Sequence, residues 1–178
     1  MREAKPWGML AEFENTQTFY KGCEKIRDAG FSRWDAYSPF PVHGLDKAMG
    51  LKRSNLPWIV LICGLIGASV GFAMQTWVAT TAYPVIISGK PFFSWQAFVP
   101  ITFELGVLFG AFGAVFGMFG INKLPTYYHP VFTSDRFARV TDDRFFIAVE
   151  AQDPSYDERK TKKLLESAGA THIEQLED

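Results

Sequence analysis

The chain has 178 residues and a formal net charge of −1 at pH 7. Such a balance offers no excess of basic residues for nucleic acid or another polyanion, so we expect no nucleic-acid partner. Cys23 lies in a polar segment and Cys63 in an apolar one, so a disulfide between them is not expected. The sequence contains neither a Cys-x-x-Cys-His haem attachment site nor paired cysteines at a zinc or iron–sulfur spacing.

The N-terminal segment is polar and has the pattern of a strand, a helix and a second strand. Residues 8–13 are strand-like. Asn15 can cap a helix over residues 16–29, which Gly30 would end. Residues 31–37 are strand-like again. No apolar signal-peptide core precedes this segment, so we expect it to stay on the cytoplasmic side of a membrane.

A charge-poor segment follows a connector, residues 38–46, that is rich in proline and aromatic residues and contains His43. Residues 54–122 carry only two charged side chains, Lys90 and Glu104. Because a membrane crossing needs about 20 apolar residues, this length can hold two crossings. Lys90 would mark the turn between them.

We predict the two crossings at about residues 57–79 and 97–121. The turn between them is indicated by Ser88-Gly89-Lys90-Pro91. Aromatic side chains typical of a membrane interface cluster at this end of both crossings: Trp77, Tyr83, Phe92, Phe93 and Trp95.

Small residues recur at helical spacing in both predicted crossings. In the first they are Gly64, Gly67, Ala68 and Gly71, and in the second Gly106, Gly110, Gly113, Gly117 and Gly120. Such stripes let helix backbones approach closely. We expect the two crossings to pack on each other through them, although one stripe could instead serve another subunit.

The C-terminal segment repeats the pattern of the N-terminal one. A second connector, residues 127–132, is again rich in proline and aromatic residues and contains His129. Residues 145–151 predict a strand, residues 156–168 a helix and residues 171–176 a final strand.

Two β-α-β units can form a ferredoxin-like sandwich of four antiparallel strands and two helices. The predicted fold is therefore an α+β membrane protein, with a ferredoxin-like cytoplasmic domain that a helical hairpin interrupts. Residues 1–53 and 125–178 would supply the halves of the domain, and residues 54–124 the hairpin. Two unrelated small appendages remain an alternative.

Basic residues outside the crossings predict the topology. Lys47, Lys52 and Arg53 precede the first crossing, Lys123, Arg136 and Arg139 follow the second, and only Lys90 lies between. The positive-inside rule then places both termini in the cytoplasm.

Four stretches carry a family resemblance: YSPFPVHGLDKAMGLKRSNLPW, YPVIISGKPFFSW, PITFELGVLFGAFGAVFGM and LPTYYHPVF, in this order. Together they resemble the small two-span membrane subunit, of the ActD type, of bacterial alternative complex III. The resemblance extends over residues 10–170. It implies an accessory subunit of a quinol:electron-acceptor oxidoreductase in the bacterial inner membrane.

The resemblance also implies what this chain does not carry. Haems c, iron–sulfur clusters and the quinol site are expected in partner subunits: multihaem cytochromes, an iron–sulfur protein and large multi-span subunits. The chain itself is expected to bind no cofactor or metal and to contact lipid.

Glu104 is the candidate for chemistry, because an ionisable side chain at membrane depth is expensive and often functional. It points away from the glycine stripe, so it should face another subunit or a water-filled cavity, or carry a proton. It could relay protons, neighbour a quinone site, or form a structural hydrogen bond with a partner helix. Gln75 lies near the same depth and is interpreted as structural.

His43 and His129 lie in the two connectors, at matching positions near the membrane. Two histidines could titrate near neutral pH or ligate a metal, but no further ligands have metal-site spacing. A hydrogen bond to the backbone is the simpler interpretation of each.

The sequence therefore predicts a non-catalytic structural subunit. The alternatives are participation in proton transfer through Glu104, or a free-standing membrane sensor or carrier with a ligand-binding ferredoxin-like domain.

Overall fold

The computed structural model describes residues 6–177. Two compact units divide the chain. One combines the described residues up to Lys52 with those from Tyr127 onward, and the other spans Arg53–Thr126. The chain thus leaves the first unit, forms the second, and returns.

The N-terminal half of the first unit contains β1 (Pro6–Phe13), α1 (Thr16–Asp28) and β2 (Trp34–Tyr37). Asn15 caps α1, since its side-chain oxygen accepts from the Thr18 N–H at 2.9 Å. Gly30 follows α1 with φ of 84°, a left-handed conformation that glycine adopts without strain.

The strand predicted over residues 31–37 is shorter than expected and begins at Trp34. The N–H groups of Ser32 and Arg33 donate to the Asp153 carboxylate, at 2.7 and 2.6 Å. Those two donors are therefore not used in the ladder between strands, which accounts for the late start of β2.

The C-terminal half contains β3 (Phe145–Glu150), α5 (Glu158–Ser167) and β4 (His172–Glu177). Helices α2, α3 and α4 lie between the two halves in the chain and are described below. α5 starts two residues later than predicted because Asp157 is its cap and accepts from the Lys160 N–H at 2.9 Å.

Among the described residues, four strands form one antiparallel sheet in the order β2-β3-β1-β4. The central pair β1 and β3 aligns Gly8 with Glu150 and Phe13 with Phe145. The outer strands come one from each half of the chain, and so do the inner strands. The two halves are therefore joined through the middle of one sheet.

One face of the sheet is covered by helices. Met9, Ala11 and Phe13 of β1 belong to the same buried cluster as residues of α1 and α5. The short helix α2 (Leu45–Met49) adds buried Ala48 to this cluster. The alternation of side chains along a strand explains why every second residue of β1 faces this core.

The other face is covered by the segment that follows the second unit. It forms two 3₁₀ helices, Pro130–Thr133 and Asp135–Thr141. Val131 and Phe137 are buried there with Leu10 of β1. Residues 127–132, interpreted from the sequence as a connector, thus begin a layer of the core.

The second unit is a hairpin of α3 (Leu56–Trp77), a π-helical extension (Val78–Ala82) and α4 (Trp95–Ile121). α3 and α4 are long and apolar enough to cross a membrane, and only a small part of each is buried within the chain. The turn predicted at residues 88–91 is present, with positive φ at Ser88 and Gly89.

Candidate functional site

Three glycines, Gly67, Gly71 and Gly113, hold the two long helices close together. A Cβ at Gly67 would lie 2.3 Å from the Leu105 carbonyl oxygen, and one at Gly113 would lie 2.8 Å from the Cβ of Cys63. A Cβ at Gly71 would lie 3.2 Å from the Cα of Thr102. At these three positions a larger residue would force the helices apart. Gly117 differs, because the atoms nearest to it are the ends of flexible side chains.

The other glycines of the stripes are not confined in this way. A Cβ at Gly64 or Gly106 would meet its nearest atom at 3.5 Å, and one at Gly110 at 3.9 Å, which is ordinary contact. These three glycines line an open apolar groove of about 820 Å³ along one side of the hairpin. The packing of α3 on α4 would therefore accept alanine at these three positions.

Glu104 lies on α4 and is exposed. Its side-chain carboxylate forms no hydrogen bond or ion pair within residues 6–177. At about 100° per residue it is turned about 160° from Gly106, so it does not face the groove. It lies nine residues after Trp95, the first residue of α4, or about 14 Å along the helix.

Gln75 does not contact Glu104. Its side-chain amide donates to the carbonyl of Phe98 at 2.9 Å and to that of Gly71 at 3.1 Å. It therefore ties α3 to the first turn of α4.

The structure does not bring His43 and His129 together. His43 is exposed and lies beside α2, on the helix-covered side of the sheet. His129 packs edge-on against Trp7, with ring centroids 5.1 Å apart, and Trp7 borders the core of the opposite face. The Nδ1 of His129 accepts from the Val131 N–H at 3.4 Å, so this histidine caps a 3₁₀ helix.

A buried carboxylate on β1 escaped prediction from the sequence. Glu12 accepts from Arg136 at 2.7 Å, with Arg144 at 3.5 Å and Arg139 at 3.9 Å. Arg136 and Arg139 belong to the second 3₁₀ helix. Glu12 thus fastens the segment that covers this face of the sheet. No local spacing reveals the cluster, because more than 120 residues separate its partners.

A second buried carboxylate, Asp153, joins the two halves of the sheet unit. It accepts from the N–H groups of Ser32, Arg33 and Ser155. Burial alone would raise its pKa, but these hydrogen bonds outweigh burial and lower the pKa below the ordinary value of 3.8.

Cys23 is fully buried in the helix-covered core, on the inner face of α1. Burial raises the pKa of its thiol from 9.0 to about 12. No group of three or more His, Cys, Asp or Glu side chains that could hold a metal ion occurs in the described part of the chain.

A small α+β unit joined to a hairpin of two apolar helices defines the class of protein: an integral membrane protein with a polar domain. Both helices expose most of their apolar side chains, whereas the core helices of a soluble fold are mostly buried.

The chain belongs to the family described as the ActD subunit of alternative complex III, whose family model matches residues 7–175. The match confirms the resemblance found in the sequence. No curated protein matched the chain.

Proposed function

We propose that the chain is a non-catalytic, structural subunit of a quinol:electron-acceptor oxidoreductase in a bacterial respiratory or photosynthetic electron-transport chain. The observation that carries this proposal is the family match over residues 7–175. A family match of this extent covers both the sheet unit and the hairpin, so the proposal concerns the whole chain.

The redox groups are proposed to lie in partner subunits. These would be multihaem cytochromes with haems c, an iron–sulfur protein, and large multi-span subunits that hold the quinol site. In support, the sequence offers no haem-attachment motif and no cluster-binding cysteine spacing. The chain would contribute contacts with these subunits and with lipid.

The sheet unit is proposed to be one ferredoxin-like domain built from residues 1–53 and 125–178, with residues 54–124 as an inserted hairpin. The strand order β2-β3-β1-β4 and the repeated β-α-β pattern support this assignment. The distribution of lysine and arginine supports a cytoplasmic location for both termini, in the inner membrane.

The open groove is proposed to receive a transmembrane helix of a partner subunit. Glycine in a helix costs about 1 kcal/mol relative to alanine, so glycines that the hairpin does not need favour a role outside it. Gly106 and Gly110 would let a third backbone approach closely.

The first test is to tag the chain, extract native membranes gently and identify the proteins that co-purify. A stoichiometric set with multihaem cytochromes, an iron–sulfur protein and quinol-oxidising activity is expected. Recovery of the chain alone or as a homo-oligomer would instead favour a free-standing sensor or carrier. Gly110→Leu, which fills the groove, should weaken the association, whereas Gly120→Leu serves as the control because nothing lies near Gly120.

A second candidate function is proton transfer through Glu104, favoured by its exposure on an apolar helix without a partner among residues 6–177. A carboxylate facing lipid costs at least about 2.5 kcal/mol, so Glu104 should face a partner or a water-filled cavity, or carry a proton. The structural alternative is a hydrogen bond to a neighbouring helix.

Two substitutions separate these roles. Glu104→Gln keeps a hydrogen-bonding side chain but cannot release a proton, so it should assemble normally and impair turnover or proton pumping only if Glu104 relays protons. Glu104→Leu should reduce assembly if the role is structural. Glu166→Gln, an exposed carboxylate on α5, is the control. Normal quinol turnover and normal pumping in Glu104→Gln would eliminate the relay.

A further inference from the structure

A small pocket lies where the π-helical extension meets the loop of the hairpin. Its volume is about 180 Å³, and its lining includes Ala79, Tyr83, Lys90 and Phe98. Lys90 is the only cationic side chain in residues 54–122. The side chains of the lining thus combine one cation with apolar and aromatic groups.

The pocket is held in shape by contacts on both sides. Phe98 of the lining is buried and packs edge-on against Phe72 and Phe93, with ring centroids 6.0 Å apart in both cases. The Ser94 hydroxyl donates to the Pro91 carbonyl at 2.6 Å, and the Gln75 amide to that of Phe98. These contacts fix the loop to the ends of the two helices.

The turn determines where Lys90 is held. Ser88 and Gly89 have φ of 52° and 73°, and the Lys90 N–H donates to the Ile87 carbonyl at 3.1 Å. This tight reversal holds Lys90 beside Pro91 at the wall of the pocket. The strained φ at Ser88 is thus associated with the placement of the cation.

The depth and chemistry of the pocket match one class of ligand. The pocket lies at the ends of two membrane-length helices, the level at which lipid headgroups meet hydrocarbon. A cation attracts an anion there, while the aromatic side chains of the lining suit the apolar part of the same molecule. The volume equals that of about six liquid water molecules, enough for a phosphate and glycerol fragment but not for acyl chains.

We propose that this pocket binds the phosphodiester headgroup of a membrane phospholipid, with Lys90 on the phosphate and the glycerol backbone against Phe98. The acyl chains leave the pocket along the apolar surface of the hairpin. A quinol fits less well, since apart from Lys90 the only titratable side chain in the lining is Tyr83. The inference rests on the hairpin alone and does not depend on the proposed role of the subunit.

The test is native mass spectrometry of the full-length chain, purified in mild detergent together with the proteins that co-purify. The sample is first stripped of lipid and then titrated with phosphatidylglycerol. Lys90→Gln should weaken retention of one lipid by about fivefold, the factor expected from one basic residue near a membrane surface. Lys90→Arg should retain it. Lys123→Gln, which removes a cation beyond the other end of the hairpin, is the matched control and should also retain it.

A second variant, Ala79→Leu, fills the pocket without changing its charge and should reduce binding to a similar extent. Equal lipid retention by the wild type, Lys90→Gln and Ala79→Leu would overturn the proposal. The proposal would also be overturned if the chain retained a quinol or another uncharged amphiphile and Lys90→Gln did not change that retention. Unchanged melting temperatures of the variants would show that any loss of lipid does not come from unfolding.

Discussion

The replacement Glu12→Gln tests whether the buried carboxylate holds the covering segment on the sheet. The Glu12 side chain is 3% exposed, whereas those of Arg136, Arg139 and Arg144 are 47%, 43% and 19% exposed. Breaking a fully buried ion pair costs about 3–5 kcal/mol, and an exposed pair contributes about 0.2–1 kcal/mol. Because two of the arginines can turn toward water, we expect an intermediate cost of about 2 kcal/mol.

This cost should appear locally, in the segment that Glu12 fastens. In hydrogen–deuterium exchange of the full-length chain in detergent, amides of residues 134–144 should exchange roughly thirtyfold faster in Glu12→Gln. Glu14→Gln is the control, since Glu14 is 65% exposed and pairs with Arg144 at 3.0 Å. It should change exchange by less than about fivefold. Equal effects of the two substitutions would refute the reasoning.

Three further predictions concern packing and pH. Gly67→Ala should destabilise the hairpin by about 1–3 kcal/mol, because its Cβ would meet the Leu105 carbonyl oxygen at 2.3 Å, whereas Gly106→Ala should be tolerated. Thermal unfolding in detergent compares the two variants, and equal melting temperatures would contradict the distinction between confined and open glycines. Asp153→Asn should cost about 2 kcal/mol at neutral pH. Since folding lowers the pKa of Asp153, its contribution is present above 3.8 and is lost as the pH falls through the folded-state value, so wild type and variant should converge in acid unfolding curves. Burial raises the pKa of Cys23 from 9.0 to about 12, so the stability from its neutral thiol should be lost as the pH rises between those values. At pH 8, N-ethylmaleimide should label Cys23 only after unfolding, and rapid labelling of the folded chain would show that the thiol is accessible.

The sequence predicted those elements whose signals are local. The Asn15 cap and Gly30 bracket α1, and both positions are decided by residues within one helical turn. The apolar runs of α3 and α4 likewise need no tertiary information. The late start of β2 has a distant cause, because the N–H groups of Ser32 and Arg33 bind Asp153 across more than 100 residues of sequence. The start of α5 was missed although its cap, Asp157, is a local signal.

The candidate sites were less predictable. The charge-poor background made Glu104 and Lys90 conspicuous, because each is an exception to a simple pattern. Glu12 and Asp153 stand among many charged residues, and only the sheet register reveals that their carboxylates are buried. The glycines posed a different difficulty, since confined Gly67 and open Gly106 belong to the same kind of stripe in the sequence. Separating them requires the distance to the facing helix.

The position of Glu104 relative to the groove bears on how many neighbours the hairpin needs. On α4, Glu104 is turned about 160° from Gly106 and about 120° from Gly110. A helix with its side chains is about 10–12 Å wide, so one neighbour cannot cover both faces of α4. If the groove and Glu104 are both covered by protein, we infer two different neighbouring helices. Photo-crosslinkers placed at Leu108, one turn from Glu104, and at Gly110 should therefore capture different transmembrane segments. Capture of the same segment from both positions would contradict this arrangement and leave one of the two faces to lipid.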